Sequence, residues 1–278
     1  MKVDIKKIHF RGIEVEVNKC HEGFFSDIYV FEYAGAKYLV KYYKEKKEST
    51  KFEDISRAQM FKNELDGLQR LGSVLSPYVL TPEVVDINNN KLYFVQTFHK
   101  MTSFNRHLAS HSNFFRQNKA LQEKFFNLGE YLSQLHQEFK IDANTAYIHG
   151  DLNNKNIGFT ADGRIFIYDP VIYPYLFRDS PYADVARFLL NLYPNNPRYI
   201  FCVSGRKKLI KSFLLGYIQN NPNFSLNALM ASVQFMAASR HRKKMKNAAW
   251  ASMKAVYITS WHRFVAKIII KHLQDITL

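Results

Sequence analysis

The sequence predicts an α+β protein in two unequal parts: a β-rich first third with one main helix, then a larger, mostly helical remainder. Three observations carry this. Residues 1–45 alternate apolar and polar side chains with the period of strands. From Ala183 to the end the apolar spacing is mostly helical. Between them, Ile148 to Asp169 holds two short apolar runs around a polar loop, a small β insert in a helical background. The boundary falls near residues 97–103, which divides the chain into 1–98 and 99–278.

Each element has its own signal. Ile13, Val15 and Val17 alternate with charged residues, and Ile28–Tyr33 and Lys37–Tyr43 are rich in β-branched and aromatic residues, with Ala34-Gly35 as the turn between them. Ile55, Met60, Leu65, Leu68 and Leu71 predict a helix over 52–72, with Gly72 as its C-cap. Val84–Ile87, a turn at Asn88-Asn89-Asn90, and Lys91–Phe98 read as a hairpin. Phe125, Leu128, Leu132, Leu135 and Phe139 fall on one side of a helix over 121–139. There is no internal repeat and no low-complexity linker.

With 278 residues the chain is long enough for a real core, and its 47% apolar and 23% charged content excludes a disordered or collagen-like protein. Its two cysteines, Cys20 and Cys202, are too few for a disulfide framework or a zinc site, so a reducing compartment is expected. No segment has the ~18 apolar residues that span a bilayer, and the charged, alternating N-terminus is unlike a signal peptide, so a cytoplasmic protein is expected. The net charge of +15 points to an anionic partner. The excess is concentrated after Phe201, where thirteen Lys and Arg face a single acid, Asp275, and is densest from Arg240 to Lys246.

The segment that carries chemistry runs Tyr147-Ile148-His149-Gly150-Asp151-Leu152-Asn153-Asn154-Lys155-Asn156, followed by Ile165-Phe166-Ile167-Tyr168-Asp169-Pro170. Asp151, Asn156 and Asp169 are oxygen donors that a loop between two short strands can gather at one rim. Asp and Asn are common in turns, but His149-Gly150 before the first acid and Asp169 beyond it, between apolar flanks, make a chance turn a poor account. The segment resembles the catalytic core of the protein-kinase-like superfamily. Its His-Gly-Asp and Tyr-Asp-Pro are most similar to the small-molecule and glycan branch, which holds aminoglycoside, choline and lipopolysaccharide-core kinases. That likeness implies a two-lobed fold, with a nucleotide-binding lobe over 1–98 and a catalytic lobe over 99–278.

The resemblance implies ATP and Mg²⁺ as cofactors and assigns roles residue by residue. Asp151 would orient the acceptor hydroxyl and take its proton; Asn156 and Asp169 would hold Mg²⁺. His21–Tyr29 resembles the phosphate loop, with Gly23 and Ser26 at its second and third glycines and His21 replacing the first. Lys41, ending an apolar run where an unpartnered charge is costly, would contact the α- and β-phosphates. Glu64 would be its carboxylate partner, ahead of Glu53 and Asp54. Adenine would lie against Phe94–Phe98, which places Gln96 and Phe98 beside it. Asp184, in Tyr182-Ala183-Asp184-Val185, would brace the loop around His149.

The acceptor is less legible. Kinases of cationic aminoglycosides or choline need acidic acceptor sites, and this chain has one acid after Asp184. The basic segment 206–271, with Trp250 and Trp261 in it, suits an anionic glycan or the anionic face of a membrane. The leading expectation is a sugar kinase acting on the lipopolysaccharide core or another lipid-linked glycan. An aminoglycoside-type kinase, a protein kinase, and a pseudokinase or nucleic-acid-binding scaffold are the alternatives. Asp169 to Asp184 leaves little room for an activation loop, and a scaffold needs none of Lys41, Asp151, Asn156 and Asp169.

Overall fold

The computed structural model describes residues 5–23, 25–44, 55–104, 119–170, 178–193, 203–245 and 252–276. Within 203–205, 239–245 and 252–259 only the backbone is described. Strands β1 (Lys7–Phe10) and β2 (Ile13–Glu16) form a hairpin. Strands β3 (Asn18–Glu22), β4 (Ser26–Tyr33), β5 (Ala36–Tyr43), β7 (Val84–Asn88) and β8 (Tyr93–Thr97) form an antiparallel sheet in the order β3-β4-β5-β8-β7. Ala34 and Gly35 both have positive φ, 51° and 77°, the conformation a tight two-residue hairpin demands.

The alternation along each strand sorts the side chains between two faces. Val40, Tyr93 and Val95 join Phe10, Tyr29 and Phe31 in a core under the β1-β2 hairpin. Tyr43 and Phe94 face helix α1 (Arg57–Ser73) and meet Met60, Phe61, Leu65 and Leu68. Lys41 lies two residues before Tyr43, so the strand period puts it on the helix side as well. Ser56 caps α1 by accepting from the Gln59 N–H at 3.1 Å. Gly72 is not the cap expected of it. The helix runs through it to Ser73, whose hydroxyl donates to the Arg70 carbonyl at 2.9 Å, and Val74 ends it in an extended conformation.

The second part is built on α2 (Lys119–Glu138), α3 (Pro181–Asn191), α4 (Val203–Gln219), α5 (Leu226–Met245) and α6 (Ser252–Gln274) around one large core. A four-stranded sheet, β6 (Val79–Leu80), β12 (Ile165–Ile167), β11 (Ile157–Thr160) and β9 (Met101–Ser103), lies at the junction. β6 comes from the first part and pairs parallel to β12, while Leu71, Val74 and Val79 pack into the second core. A short ribbon of β10 (Ala146–Tyr147) and β13 (Arg178–Asp179) flanks the stretch that bears Asp151 and Asp169. The architecture is the predicted α+β arrangement of a β-rich region followed by a helical one.

Two expectations about the basic segment are corrected. Trp261 is not at a surface: it is 6% exposed, inside the large core. Arg206 is 2% exposed, stacked with its guanidinium 4.6 Å from the Tyr193 ring centre, so it belongs to the interior. Both sit on helix faces that pack inward, where an aromatic body or a stacked planar cation fits. Lys208, Lys211, Arg263, Lys267 and Lys271 are exposed. Trp250 and Lys246 lie outside the described residues, as do the side chains of Arg240–Lys244.

Helices α2 and α4 cross closely because each offers a glycine. A Cβ on Gly129 would overlap the Phe213 carbonyl and come within 2.9 Å of the Tyr217 nitrogen; one on Gly216 would overlap the Phe126 carbonyl. Gly129→Ala is expected to lower unfolding free energy by about 1–3 kcal/mol in a denaturant titration. Gly72→Ala, where a Cβ meets only Thr81 Oγ1 at 3.6 Å, should raise it by about 0.5–1 kcal/mol.

Candidate active site

The site sits where the two parts meet. Lys41 Nζ is 2.6 Å from Glu64 Oε1 on α1 and 2.8 Å from Asp169 Oδ1, just after β12. Lys41 and Glu64 are buried, while the Asp169 side chain is 45% exposed. Burial alone would depress the Lys41 ammonium, but the two carboxylates outweigh it and raise it well above its ordinary value. Burial holds the Glu64 carboxyl above its usual range, against the pull of Lys41. Glu64 Oε2 accepts from the Tyr43 hydroxyl, which burial and the carboxylate together push upward. Tyr43 is a site residue that the sequence reading missed; its position two residues from Lys41 was the available signal.

The loop from His149 to Asn156 is shaped by its own polar side chains. Asn153 Oδ1 accepts from the Lys155 N–H at 2.8 Å, and the Asn156 N–H donates to the Asn153 carbonyl at 3.0 Å, folding the loop into a tight turn. Asn156 Nδ2 then donates to the Asp151 carbonyl (3.0 Å), to Asp151 Oδ2 (3.1 Å) and to the Asp169 carbonyl (3.3 Å). One amide therefore gathers both acids. With that nitrogen committed, Asn156 Oδ1 is the atom left to ligate a metal. Asp169 has φ 53°, a left-handed conformation that Asp tolerates better than most residues. It is held there although it precedes Pro170, and such backbone outliers collect at functional sites.

His149 and Asp184 stand behind the loop. His149 Nε2 donates to the Tyr168 carbonyl at 3.0 Å and Nδ1 accepts from the Asp151 N–H at 3.3 Å, so the ring fastens the segment of one acid to that of the other. Asp184 is fully buried and accepts from the His149 N–H at 2.6 Å and the Gly150 N–H at 2.8 Å. Gly150 has φ 73°, which lets two successive N–H groups converge on one carboxylate. His136 on α2 reaches Asp184 Oδ2 at 3.3 Å and the Tyr217 hydroxyl of α4 at 2.9 Å. Burial opposes the Asp184 charge, yet the hydrogen bond from His136, with His149 and Arg187 nearby, leaves its carboxyl below the usual range. His136, Tyr217 and Arg187, whose NH1 lies 3.6 Å from Asp151 Oδ1, escaped the sequence reading because no local pattern links them to the loop.

The remaining predicted residues lie around this centre. Gly23 and Ser26 close the β3-β4 hairpin, with the Gly23 N–H donating to the Ser26 carbonyl at 3.0 Å; Phe24 lies outside the described residues. Beside them Asp27 accepts from Lys19 at 2.9 Å and Lys44 at 3.0 Å. Gln96 is half-buried on β8 and Phe98 is 36% exposed at the junction, under the Lys37 ammonium at 4.8 Å. Phe94 is wholly buried against Phe61 and Tyr43. Glu53 and Asp54, the other candidates for pairing with Lys41, lie outside the described residues. As a donor set, one half-exposed carboxylate and one amide oxygen fit Mg²⁺, which keeps most of its shell for phosphate and water.

No protein-family model and no curated protein sequence matches the chain. Solved structures do. The PknI kinase domain of Mycobacterium tuberculosis superposes with a TM-score of 0.50 at 14% identity, over 77% of this chain and 91% of that one. A double mutant of the same domain gives a TM-score of 0.51 at 13% identity, over 83% and 99%. At this identity the likeness is one of fold, and the fold is protein-kinase-like.

The Asp184 arrangement has a consequence for acid stability. A carboxyl held low in the folded state stabilises above its unfolded value, near pH 4, and that contribution is lost as pH falls through the folded value. Asp184→Asn, which turns one acceptor oxygen into a donor facing buried N–H groups, is expected to lose about 1–3 kcal/mol at neutral pH. Urea titrations should also find its stability falling less steeply below pH 4 than that of the parent.

Proposed function

We propose that the protein is an ATP- and Mg²⁺-dependent phosphotransferase whose acceptor is a hydroxyl of a sugar, in the lipopolysaccharide core or another anionic, lipid-linked glycan. The observation that carries the reading is the convergence of Lys41, Asn156 and Asp169 beside Asp151 at the junction of a kinase-like fold. Phosphoryl transfer needs positioning and charge neutralisation more than covalent help, and these residues supply both. Lys41, fixed by Glu64, holds the α- and β-phosphates. Asn156 Oδ1 and the Asp169 carboxylate hold Mg²⁺, which when bound draws charge from the phosphate oxygens. Asp151, steadied by Asn156, takes the proton of the attacking hydroxyl. The β3-β4 hairpin that Gly23 and Ser26 close covers the phosphates, and the backbone from Gln96 to Phe98 meets the base.

The choice of acceptor rests on charge. After Asp184 the sequence has a single acid, Asp275, and it is paired with Lys207 at 3.0 Å. An amine acceptor would find only that one carboxylate there, already paired with a lysine. Lys208, Lys211, Arg263, Lys267 and Lys271 are exposed and suit a phosphorylated or acidic glycan, presented in solution or at an anionic membrane face. Among the described residues no helix is long and apolar enough to cross a membrane, so contact through these helices would be peripheral.

Transfer of label from γ-labelled ATP to dephosphorylated lipopolysaccharide core, with an aminoglycoside as the amine control, tests the reading. The glycan should be labelled, and Asp151→Asn should slow labelling by on the order of 10²–10⁴-fold. Equal labelling by the variant would remove Asp151 from the chemistry, and labelling of the amine alone would overturn the acceptor.

A further inference from the structure

Helix α3 turns one face toward the catalytic loop. Asp184, Arg187 and Asn191 stand at i, i+3 and i+7, the spacing of a single helical ridge. Asp184 binds the His149 and Gly150 amides, and the Asn191 carbonyl accepts from the Asn154 side chain. Arg187, between them, reaches Asp151: NH1 lies 3.6 Å from Oδ1.

That contact differs from its neighbours in a way that matters. Asp184 is sealed in the core, whereas the Asp151 side chain is 51% exposed, and the separation exceeds hydrogen-bond length. A half-exposed, loose pair contributes little to stability, about 0–1 kcal/mol. The Arg187 side chain is only 19% exposed, so its stem is packed and its guanidinium is delivered to the rim by a rigid helix. A guanidinium carries five donors in a planar fork suited to phosphate oxygens, and one loose contact leaves donors for them.

Asp151 is followed by Leu152, Asn153 and Asn154, and the one cation of the loop, Lys155, is an exposed point charge on a flexible stem rather than a fork held by a helix. Lys41 is committed on the other side, between Glu64 and Asp169. The end of the nucleotide where charge moves during transfer therefore needs a cation beside Asp151, and Arg187 stands there.

We propose that Arg187 is a further catalytic residue, which binds the transferring phosphoryl group while leaving Asp151 open to the acceptor. The inference rests on the phosphotransferase reading above. As the hydroxyl oxygen bonds to the γ-phosphorus, the bond from that phosphorus to the bridging oxygen breaks. The electron pair leaves with ADP, the hydroxyl proton passes to Asp151, and Arg187 faces the equatorial oxygens.

Titration calorimetry with two probes, Mg²⁺–ADP and Mg²⁺–ADP–aluminium fluoride, needs no acceptor and separates the possibilities. Arg187→Ala should bind ADP within about 3-fold of the parent, yet bind the planar phosphoryl mimic at least ~10²-fold more weakly, a minimal effect for an arginine at a transferring phosphoryl. Arg187→Lys, which keeps the charge and loses the fork, should fall between. If Arg187→Ala does not fold, Arg187→Lys carries the comparison alone. Equal loss of both probes, or no loss of either, would overturn the role of Arg187 and leave the phosphotransferase reading standing. A parent protein that binds neither probe would overturn that reading, and this inference with it.

Discussion

One buried ammonium organises the molecule. Lys41 arrives on the middle strand of the first sheet, on the face that packs against α1, where a lone charge is costly. Its two partners come from different parts of the fold: Glu64 from α1 and Asp169 from beyond the second sheet. Satisfying Lys41 therefore fixes the helix against its own sheet and ties the first part to the second. Tyr43 holds the other oxygen of Glu64, so that the carboxylate is gripped from one strand at two points. The backbone of Asp169 is left-handed where its side chain turns toward this ammonium, and the strain is held by the ion pair and by Asn156.

The opposite side of the site is held by polar contacts from three helices. The chain of Tyr217, His136 and Asp184 runs from α4 through α2 to α3 and ends on the two amides before Asp151. The close α2–α4 crossing at Gly129 and Gly216 brings Tyr217 within reach of His136. The loop that bears Asp151 is thus fastened to the large core from behind while Asp151 and Asp169 stay half exposed in front, the division of labour a preorganised site requires.

Much of this was legible in the sequence, for reasons that differ by element. The strands and α1 follow local periodicity. The loop residues His149, Asp151, Asn156 and Asp169 stand close in sequence because one turn and one hairpin gather them. Lys41 and Glu64 were readable as a pair because a buried lysine calls for a carboxylate. What escaped depends on tertiary packing. His136 reads as an ordinary residue of an amphipathic helix until α4 is placed beside it. Trp261 and Arg206 looked like surface groups in a basic segment, because composition does not tell which face of a helix turns inward. Gly72 looked like a cap, but nothing in its surroundings requires a positive φ.

The central claim is that Lys41, Asn156 and Asp169 form a metal-dependent nucleotide site. The direct measurement is the melting temperature with and without Mg²⁺–ATP, for the parent and for Asp169→Ala. Ligand at ~100 times its Kd that binds only the folded state adds about 2.7 kcal/mol, a readable shift. The account predicts a rise that requires Mg²⁺ and is lost in Asp169→Ala. No rise at millimolar ATP, or a rise of equal size in the variant, would contradict it.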